Sequence, residues 1–183
     1  IVFIFYPDLI SMIVRKMSNS FFMKGISKAQ LKAFSTSSSV TTLPVTLNSV
    51  ENNLGVSKRT TSFVLPIGAT VNMDGTSLYQ AVAVVALAQF HMVDLSLMQQ
   101  LTIVFTATLA SIGAAAIPSA GLVLMIIVLE SVGLNPAWIA LIFPVDRILD
   151  MCRTVVNVTG DAAVSTIVAN SEGELNIPDT KSV

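Results

Sequence analysis

The sequence predicts an all-α membrane protein with two re-entrant helical hairpins, one broken transmembrane helix and one transmembrane helix that carries a polar stripe. Composition is the first indication: 53% of the 183 residues are hydrophobic and 11% are charged, whereas soluble domains carry about 25% charged residues. The second is that no Lys or Arg lies between Arg59 and Arg147. The third is that polar segments interrupt long apolar stretches. In a bilayer such irregular backbone is stable only where it is buried in protein or lines a cavity.

Residues 1–33 are predicted to be the end of a preceding transmembrane helix, followed by an interfacial segment. About 14 mostly apolar residues open the chain. They are too few to span a bilayer alone, and no charged region precedes them as in a signal peptide. We therefore expect the chain to be the C-terminal part of a longer protein. The basic residues Lys24, Lys28 and Lys32 predict that this segment faces the cytoplasm.

Two segments predict re-entrant hairpins, because each has two halves that are too short to span a bilayer on either side of a turn. The first hairpin covers residues 34–58 and contains a hydroxyl-rich run with a proline. The second covers residues 96–133, and its tip of small residues lies near 113–120. A polar tail at 171–183 is expected to be solvated and frayed.

Two longer segments predict membrane-spanning helices. Residues 60–90 are long enough to span, but NMDGT at 72–76 breaks them, since Asn, Asp and Gly disfavour helix interiors. Residues 136–170 form the last helix, and Pro136 suits a helix start. The order of hairpin, broken helix, hairpin and striped helix is a weak internal symmetry, and interrupted segments in corresponding halves are typical of a transporter binding site.

The last helix carries five polar residues on one face. At 100° per residue they fall within an arc of roughly 80°. They are Asp146, Asp150, Arg153, Asn157 and Asp161. Each charge at a helix centre costs on the order of 2.5–3.5 kcal/mol on insertion scales, so the stripe must face protein or a water-filled site. A structural ion pair between Asp150 and Arg153 is one interpretation. It leaves other carboxylates without a cation, and oxygen-rich sites of this kind bind hard cations such as sodium.

Four stretches together resemble one family. TSSSVTTLPVT, LPIGATVNMDGTSLYQ, TATLASIGAAAIPSAG and VDRILDMCRTVVNVTGD are similar, in order and spacing, to the glutamate transporter family of sodium-coupled dicarboxylate and amino-acid symporters. The resemblance covers about residues 34–170. It implies a transport core at 34–170 that moves like an elevator against a homotrimeric scaffold, with the scaffold absent from this chain. It also implies a multi-pass protein of the plasma membrane, or of the inner membrane in a bacterium.

The resemblance implies a binding site for aspartate or glutamate. Asp150 would bind the substrate ammonium, and Arg153 would pair with the side-chain carboxylate, for which guanidinium is the natural bidentate partner. Asn157 and the first hairpin would hold the α-carboxylate. The implied substrate residues are Ser37, Ser39, Thr76, Ile117, Gly121, Asp150, Arg153, Thr154 and Asn157.

The resemblance also implies three sodium ions. One would be bound by Asp161 and backbone carbonyls, and a second by carbonyls beneath the second hairpin. A third would be bound by Asn72 and Asp74 together with an earlier helix. The implied sodium residues are Gly68, Thr70, Asn72, Asp74, Ser111, Ile112, Ala114, Asn157 and Asp161.

Two residues bear on specificity. Arg153 favours acidic substrates, because family members that carry neutral amino acids lack this Arg. Gln80 stands where proton-coupled members have Glu, and a neutral amide cannot carry a proton. We hypothesise that Arg147 is a further basic group near the substrate.

The predicted function is secondary active, sodium-coupled uptake of acidic amino acids. The alternatives are a proton-coupled, neutral-amino-acid or C4-dicarboxylate symporter of the same family, or a channel-like ion conductor. An enzyme is not expected, because no Ser/His pair or HExxH motif is evident. A net charge of -1 gives no indication of nucleic-acid binding.

Overall fold

The computed structural model describes residues 1–15, 17–114 and 119–178, and this part of the chain is all-helical. The helices are α1 (Phe5–Ile13), α2 (Asn19–Thr36), α3 (Ser39–Asn52), α4 (Lys58–Val71), α5 (Asp74–Phe90), α6 (Leu97–Ile112), α7 (Ala120–Ser131), a 3₁₀ helix (Pro136–Leu141) and α8 (Phe143–Ser171). The predicted all-α class is confirmed. None of the helices in these ranges combines the length and the apolar composition that crossing a bilayer would need. Re-entrant and membrane-spanning helices therefore stay predictions.

The interruption at NMDGT is shorter than predicted. α4 ends at Val71 and α5 begins at Asp74, so that only Asn72 and Met73, both with non-helical backbone angles, lie between them. Asp74 can open a helix because a carboxylate is stabilised near a helix N-terminus. The backbone N–H of Asn72 closes α4 by donating to the Gly68 carbonyl at 2.8 Å.

The start of the chain differs from the predicted segments. Within the segment predicted at 1–33, α1 ends at Ile13 and a second helix, α2, begins at Asn19. The predicted boundary between residues 33 and 34 lies inside α2, which continues to Thr36 and ends at Ser37 in the left-handed conformation (φ 52°). Ser38 then caps α3 by accepting from the backbone N–H of Thr41. The hydroxyl-rich run therefore forms helix ends and a tight turn, a role to which Ser and Thr are suited.

Two apolar cores lie on either side of α8. The first packs α1, α2, α3 and α4 against α8 around the fully buried Phe22, Ile26 and Leu54. The second packs α5, α6 and α7 around Ile103 and Met125. The polar stripe of α8 is buried between these cores, and each of its five residues is at most 4% exposed. The last helix also differs from the prediction at its start, where Pro136 opens a 3₁₀ helix rather than α8.

The segment after α8 returns to the loop between α3 and α4. The backbone N–H of Asn176 donates to the Gly55 carbonyl at 2.8 Å, and Val56 and Leu175 form an isolated antiparallel bridge. The Glu174 carboxylate accepts hydrogen bonds from the hydroxyls of Ser57 and Thr60. Up to residue 178 the predicted solvated tail is thus attached to the start of α4, and residues 179–183 lie outside the described part.

Replacing Glu174 by Gln is expected to remove a pH-dependent part of the stability. The hydrogen bonds from Ser57 and Thr60, with a smaller effect of Arg59, lower the pKa of Glu174. Because the folded pKa lies below the unfolded value of about 4.3, the stabilisation is complete above that value and is lost as the pH falls through the folded pKa. Melting temperatures of wild type and Glu174→Gln should therefore converge as the pH is lowered below about 4. A difference that does not change with pH would contradict this.

Candidate substrate and sodium site

A small polar cavity lies where the α2–α3 turn and the starts of α5 and α7 meet the middle of α8. We call it the polar cavity. It is lined by Ser37, Ser38, Ser39, Met73, Thr76, Ala114, Ala120, Gly121, Asp150, Arg153, Thr154 and Asn157. Its volume of ≈ 20 Å³ has room for about one water molecule. Every segment that the sequence predicts for the substrate site contributes to this cavity.

The structure brings together eight of the nine implied substrate residues. These eight are Ser37, Ser39, Thr76, Gly121, Asp150, Arg153, Thr154 and Asn157. The ninth, Ile117, lies outside the described residues. The grouping is a matter of geometry, and binding of a substrate by these residues stays a prediction.

Arg153 is the central charge of the polar cavity. Its Nε donates to Asp150 Oδ1 at 2.8 Å, and its Nη1 donates to Asp146 Oδ1 at 3.1 Å. The guanidinium also lies 4.3 Å from the centre of the Tyr79 ring, within the range of a cation–π interaction. Its third nitrogen, Nη2, is buried and has no hydrogen-bond partner among the described residues. Arg153 is therefore held on two sides and keeps one donor for another acceptor.

Sequence reasoning did not assign Asp146 or Tyr79 to the substrate site. Tyr79 donates its hydroxyl to Asp146 Oδ1 at 2.9 Å, so the two residues form one support for Arg153. The signal for Asp146 was present, since it shares the stripe and lies two helical turns before Arg153. Nothing in the sequence pattern indicates that Tyr79 stacks on the guanidinium.

The other polar side chains of the cavity are fixed by backbone groups. Asp150 Oδ2 accepts from the backbone N–H of Ser119 at 2.9 Å, which connects α8 to the start of α7. Asn157 Oδ1 accepts from the backbone N–H of Gly75 at 2.7 Å, which connects α8 to the start of α5. The Ser37 hydroxyl is buried and, within residues 1–15, 17–114 and 119–178, has no partner. In this part of the chain, Ser37 Oγ and Arg153 Nη2 are thus two polar groups without a partner that line one cavity.

Gly121 allows α7 to approach the site closely. A Cβ atom at this position would lie 2.8 Å from the Thr76 methyl group and 3.5 Å from Arg153 Cζ. Gln80, which is fully buried, donates its amide to the Gly121 carbonyl at 2.9 Å. The start of α7 is therefore held against both α5 and the guanidinium.

Most implied sodium residues line a second, wider cavity between α4, α5, α6 and α8. We call it the wide cavity; its volume is ≈ 870 Å³. The implied sodium residues in its lining are Gly68, Asn72, Asp74, Ser111, Ile112 and Asp161. Ala114 and Asn157 line the polar cavity instead. Thr70 lines neither, and its exposed side chain donates to the Ile67 carbonyl at 2.9 Å.

Asp161 is buried against the end of α4. Its Oδ1 accepts from Asn72 Nδ2 at 2.9 Å, and a Cβ on Gly68 would lie 2.5 Å from the same oxygen. Among the described residues, neither Asp161 nor Asp74 forms an ion pair. Nor does this part of the chain contain three or more His, Cys, Asp or Glu side chains grouped to hold a metal ion. A cation here would depend on one carboxylate together with backbone and amide oxygens, which are ligands that hard cations accept.

Two neighbours of the stripe face away from the polar cavity. Arg147 is exposed and does not line it, so the structure does not support the hypothesis of a second basic group near the substrate. Cys152 is also exposed and lines an apolar groove between α5 and α8. Arg153, rather than Cys152, is the side chain that enters the polar cavity.

Replacing Gly75 by Ala is expected to destabilise the protein. The added Cβ would lie 2.3 Å from the Arg153 carbonyl oxygen and 2.9 Å from Val156 Cβ, forcing α5 away from α8. Overpacking of this kind costs about 1–3 kcal/mol. Gly113→Ala is the matched control, because its Cβ would meet nothing closer than 3.6 Å. Equal melting temperatures for the two variants would contradict the expectation.

Comparisons with known proteins identify the family of the chain. Residues 1–171 match the model of the sodium:dicarboxylate symporter family. The chain is 51% identical to an excitatory amino acid transporter of Caenorhabditis elegans, over 93% of this chain and 34% of that protein. It is 50% identical to excitatory amino acid transporter 2 of Homo sapiens, over 97% of this chain and 31% of that protein. It is 51% identical to human excitatory amino acid transporter 3, over 96% of this chain and 34% of that protein.

The chain thus spans about a third of the length of these relatives. The family and the named relatives are transporters, in agreement with the expectation that the protein is not an enzyme. Identity extends well beyond the four stretches that carried the resemblance, since it includes α1 and α2. The chain belongs to the sodium:dicarboxylate symporter family.

Proposed function

We propose that this chain forms the binding core of a secondary active transporter that couples the uptake of aspartate or glutamate to sodium. The observation that carries the proposal is the buried Arg153, whose Nη2 has no partner in the described part of the chain and which lines one cavity with seven other implied substrate residues. A carboxylate is the natural acceptor for that donor. The names of the relatives, excitatory amino acid transporters, favour an acidic amino acid.

Binding would proceed by an exchange of partners. The side-chain carboxylate of the substrate would take Arg153 Nη2 and then the Nε that now bonds to Asp150, giving a bidentate pair. Asp150, released from the guanidinium, would accept the substrate ammonium. Asn157 and the Ser37 hydroxyl, which has no partner among the described residues, would donate hydrogen bonds to the α-carboxylate. Each charge of the substrate would then face an opposite charge or a donor of the protein.

Charge balance gives a physical reason for sodium coupling. Asp146, Asp150 and Arg153 place two carboxylates beside one guanidinium in a buried region, and Asp161 is a further buried carboxylate. An acidic amino acid brings a further net negative charge. Because uncompensated buried charge is costly, cations must enter with the substrate. Sodium at Asp161 and at Asp74 would supply that compensation next to the polar cavity.

The interruption between α4 and α5 would couple sodium binding to substrate binding. Asn72 bonds to Asp161 on the sodium side. Three residues further along, the backbone N–H of Gly75 donates to Asn157 on the substrate side. Met73 lies between them, and its sulfur accepts from Asn157 Nδ2 at 3.3 Å. One short segment therefore contacts both sites and would provide a contiguous route for coupling.

The finer features of the proposal concern the whole protein. We propose that α2 with α3 and α6 with α7 are re-entrant hairpins, that α4 with α5 is a broken transmembrane helix, and that α8 spans the membrane. We further propose an elevator movement against a homotrimeric scaffold in the plasma membrane.

Gln80 supports sodium rather than proton coupling, because a buried amide that donates to a carbonyl does not titrate. The ammonium partner Asp150 favours amino acids over C4-dicarboxylates.

Thermal stabilisation of the purified full-length protein by different ligands tests this function. Melting temperature would be measured with L-aspartate, L-glutamate, L-serine or succinate, each in sodium chloride and in choline chloride of equal strength. Stabilisation by aspartate and glutamate only in sodium is expected, with little effect of serine or succinate. Stabilisation by serine alone, or by aspartate equally well in choline, would contradict the proposal.

A further inference from the structure

Asp74 receives a hydrogen bond from an aromatic residue far away in sequence. The hydroxyl of Tyr6, in α1, donates to Asp74 Oδ2. Tyr6 is only 5% exposed and belongs to the core that packs α1 against α8. Sequence analysis placed it at the end of a preceding helix and gave it no role. The contact connects the first helix of the chain to the residue that opens α5.

The hydroxyl of Tyr6 is one of three polar atoms that converge on Gly160 of α8. A Cβ at Gly160 would lie 2.8 Å from Tyr6 Oη, 2.9 Å from Asn72 Nδ2 and 2.9 Å from Asp74 Oδ2. Two segments, α1 and the break between α4 and α5, therefore bring a phenol, an amide and a carboxylate to one point on α8. Only glycine leaves room for them. Asp74 and Asn72 are also in the lining of the wide cavity, which gives this cluster an open side.

Resting on the proposed function, we propose that Tyr6 is a residue of the Asp74 sodium site. Its hydroxyl orients the carboxylate by donating to Oδ2 and supplies a neutral oxygen to the ion. A phenol can do both at once, because its oxygen keeps acceptor capacity while its proton is donated. Hard cations bind through several oxygens, and neutral ones replace the hydration that the ion loses. The site would thus take ligands from α1 as well as from the start of α5.

A purely structural hydrogen bond is the competing explanation. Removing such a bond would lower the melting temperature by the same amount at every sodium concentration. Removing a ligand of the site would instead raise the sodium concentration needed for stabilisation. The two explanations therefore differ in a quantity that can be measured without transport.

The test is a sodium titration of full-length Tyr6→Phe in the absence of amino acid. Melting temperature is followed from zero to saturating sodium, with choline chloride keeping the ionic strength constant. The sodium concentration at half-maximal stabilisation is expected to rise about ten-fold, as for the loss of one hydrogen bond to a charged group. In an Asp74→Asn background, Tyr6→Phe should cause no further shift.

Tyr79→Phe is the matched control, because it removes a similar phenol–carboxylate bond, to Asp146, from the substrate side of α8. It should leave the sodium half-saturation unchanged and raise the aspartate concentration needed for stabilisation. An unchanged sodium half-saturation in Tyr6→Phe, with a sodium response in wild type, would overturn the assignment of Tyr6 alone. A wild-type protein that sodium does not stabilise would overturn the proposed function and this assignment with it.

Discussion

Arg153→Ala is expected to abolish sodium-coupled uptake of aspartate and glutamate. The substitution removes the one basic side chain among the described residues that line the polar cavity, and it leaves Asp146 and Asp150 buried without their cation. Breaking a buried pair by removing one partner costs about 3–5 kcal/mol. Because the substrate carboxylate loses its partner, the dissociation constants of acidic substrates should rise by at least about 100-fold. Arg153→Lys should not restore uptake, because an ammonium cannot reproduce the planar contacts to both carboxylates and the Tyr79 ring.

Arg147→Ala is the matched control for Arg153. Arg147 lies on the same helix but is exposed and outside the polar cavity, so its removal should leave affinity and rate close to those of wild type. The measurement is competition by unlabelled aspartate and serine against labelled aspartate, in liposomes that contain each variant. Wild-type affinity for aspartate in Arg153→Ala would show that this guanidinium does not bind the substrate. A loss in Arg147→Ala as large as that in Arg153→Ala would contradict the arrangement of α8.

Asp161→Asn is expected to abolish the sodium response while stabilising the sodium-free protein. The Asp161 side chain is 2% exposed and is held by Asn72, with no ion pair among the described residues. Burying an ion costs several kcal/mol. An asparagine keeps the oxygen that Asn72 contacts but removes the charge. Melting temperature in choline should therefore rise by a few degrees, whereas the stabilisation that saturating sodium gives through its binding to the folded state should be lost.

Asp94→Asn is the control for this substitution, because Asp94 is exposed in the turn between α5 and α6. It should change neither the melting temperature nor its dependence on sodium. Melting curves of the three proteins across a sodium series in choline chloride provide the comparison. A sodium response in Asp161→Asn equal to that of wild type would show that this carboxylate does not bind the ion.

Residue patterns predict the core of the site because they depend on local geometry. The five-residue stripe of α8 follows from helical spacing, and its residues are all buried. The break near NMDGT follows from the low helix propensity of Asn and Gly. Its length could not be predicted, because Asp74 and Gly75 become helical through contacts with α8 that propensity does not include.

Contacts between distant segments lie beyond what patterns can predict. Tyr6 meets Asp74 across 68 positions, and Glu174 meets Thr60 across 114. Neither pair has a spacing that a helix or a turn would impose. The hydroxyl-rich run lies within the hairpin predicted at 34–58, and in the structure Ser37 and Ser38 form the turn between α2 and α3. The helix before them had already begun at Asn19, because its buried face packs against α3 and α8.

Uptake of labelled L-aspartate by the full-length protein in liposomes, with and without an inward sodium gradient, tests the central claim most directly. Glutamate, serine and succinate would be added as competitors. The arrangement of Arg153, Asp150 and Asp161 predicts saturable uptake that requires the sodium gradient and is blocked by glutamate but not by serine. Uptake driven by a proton gradient alone, or blocked by serine alone, would contradict it.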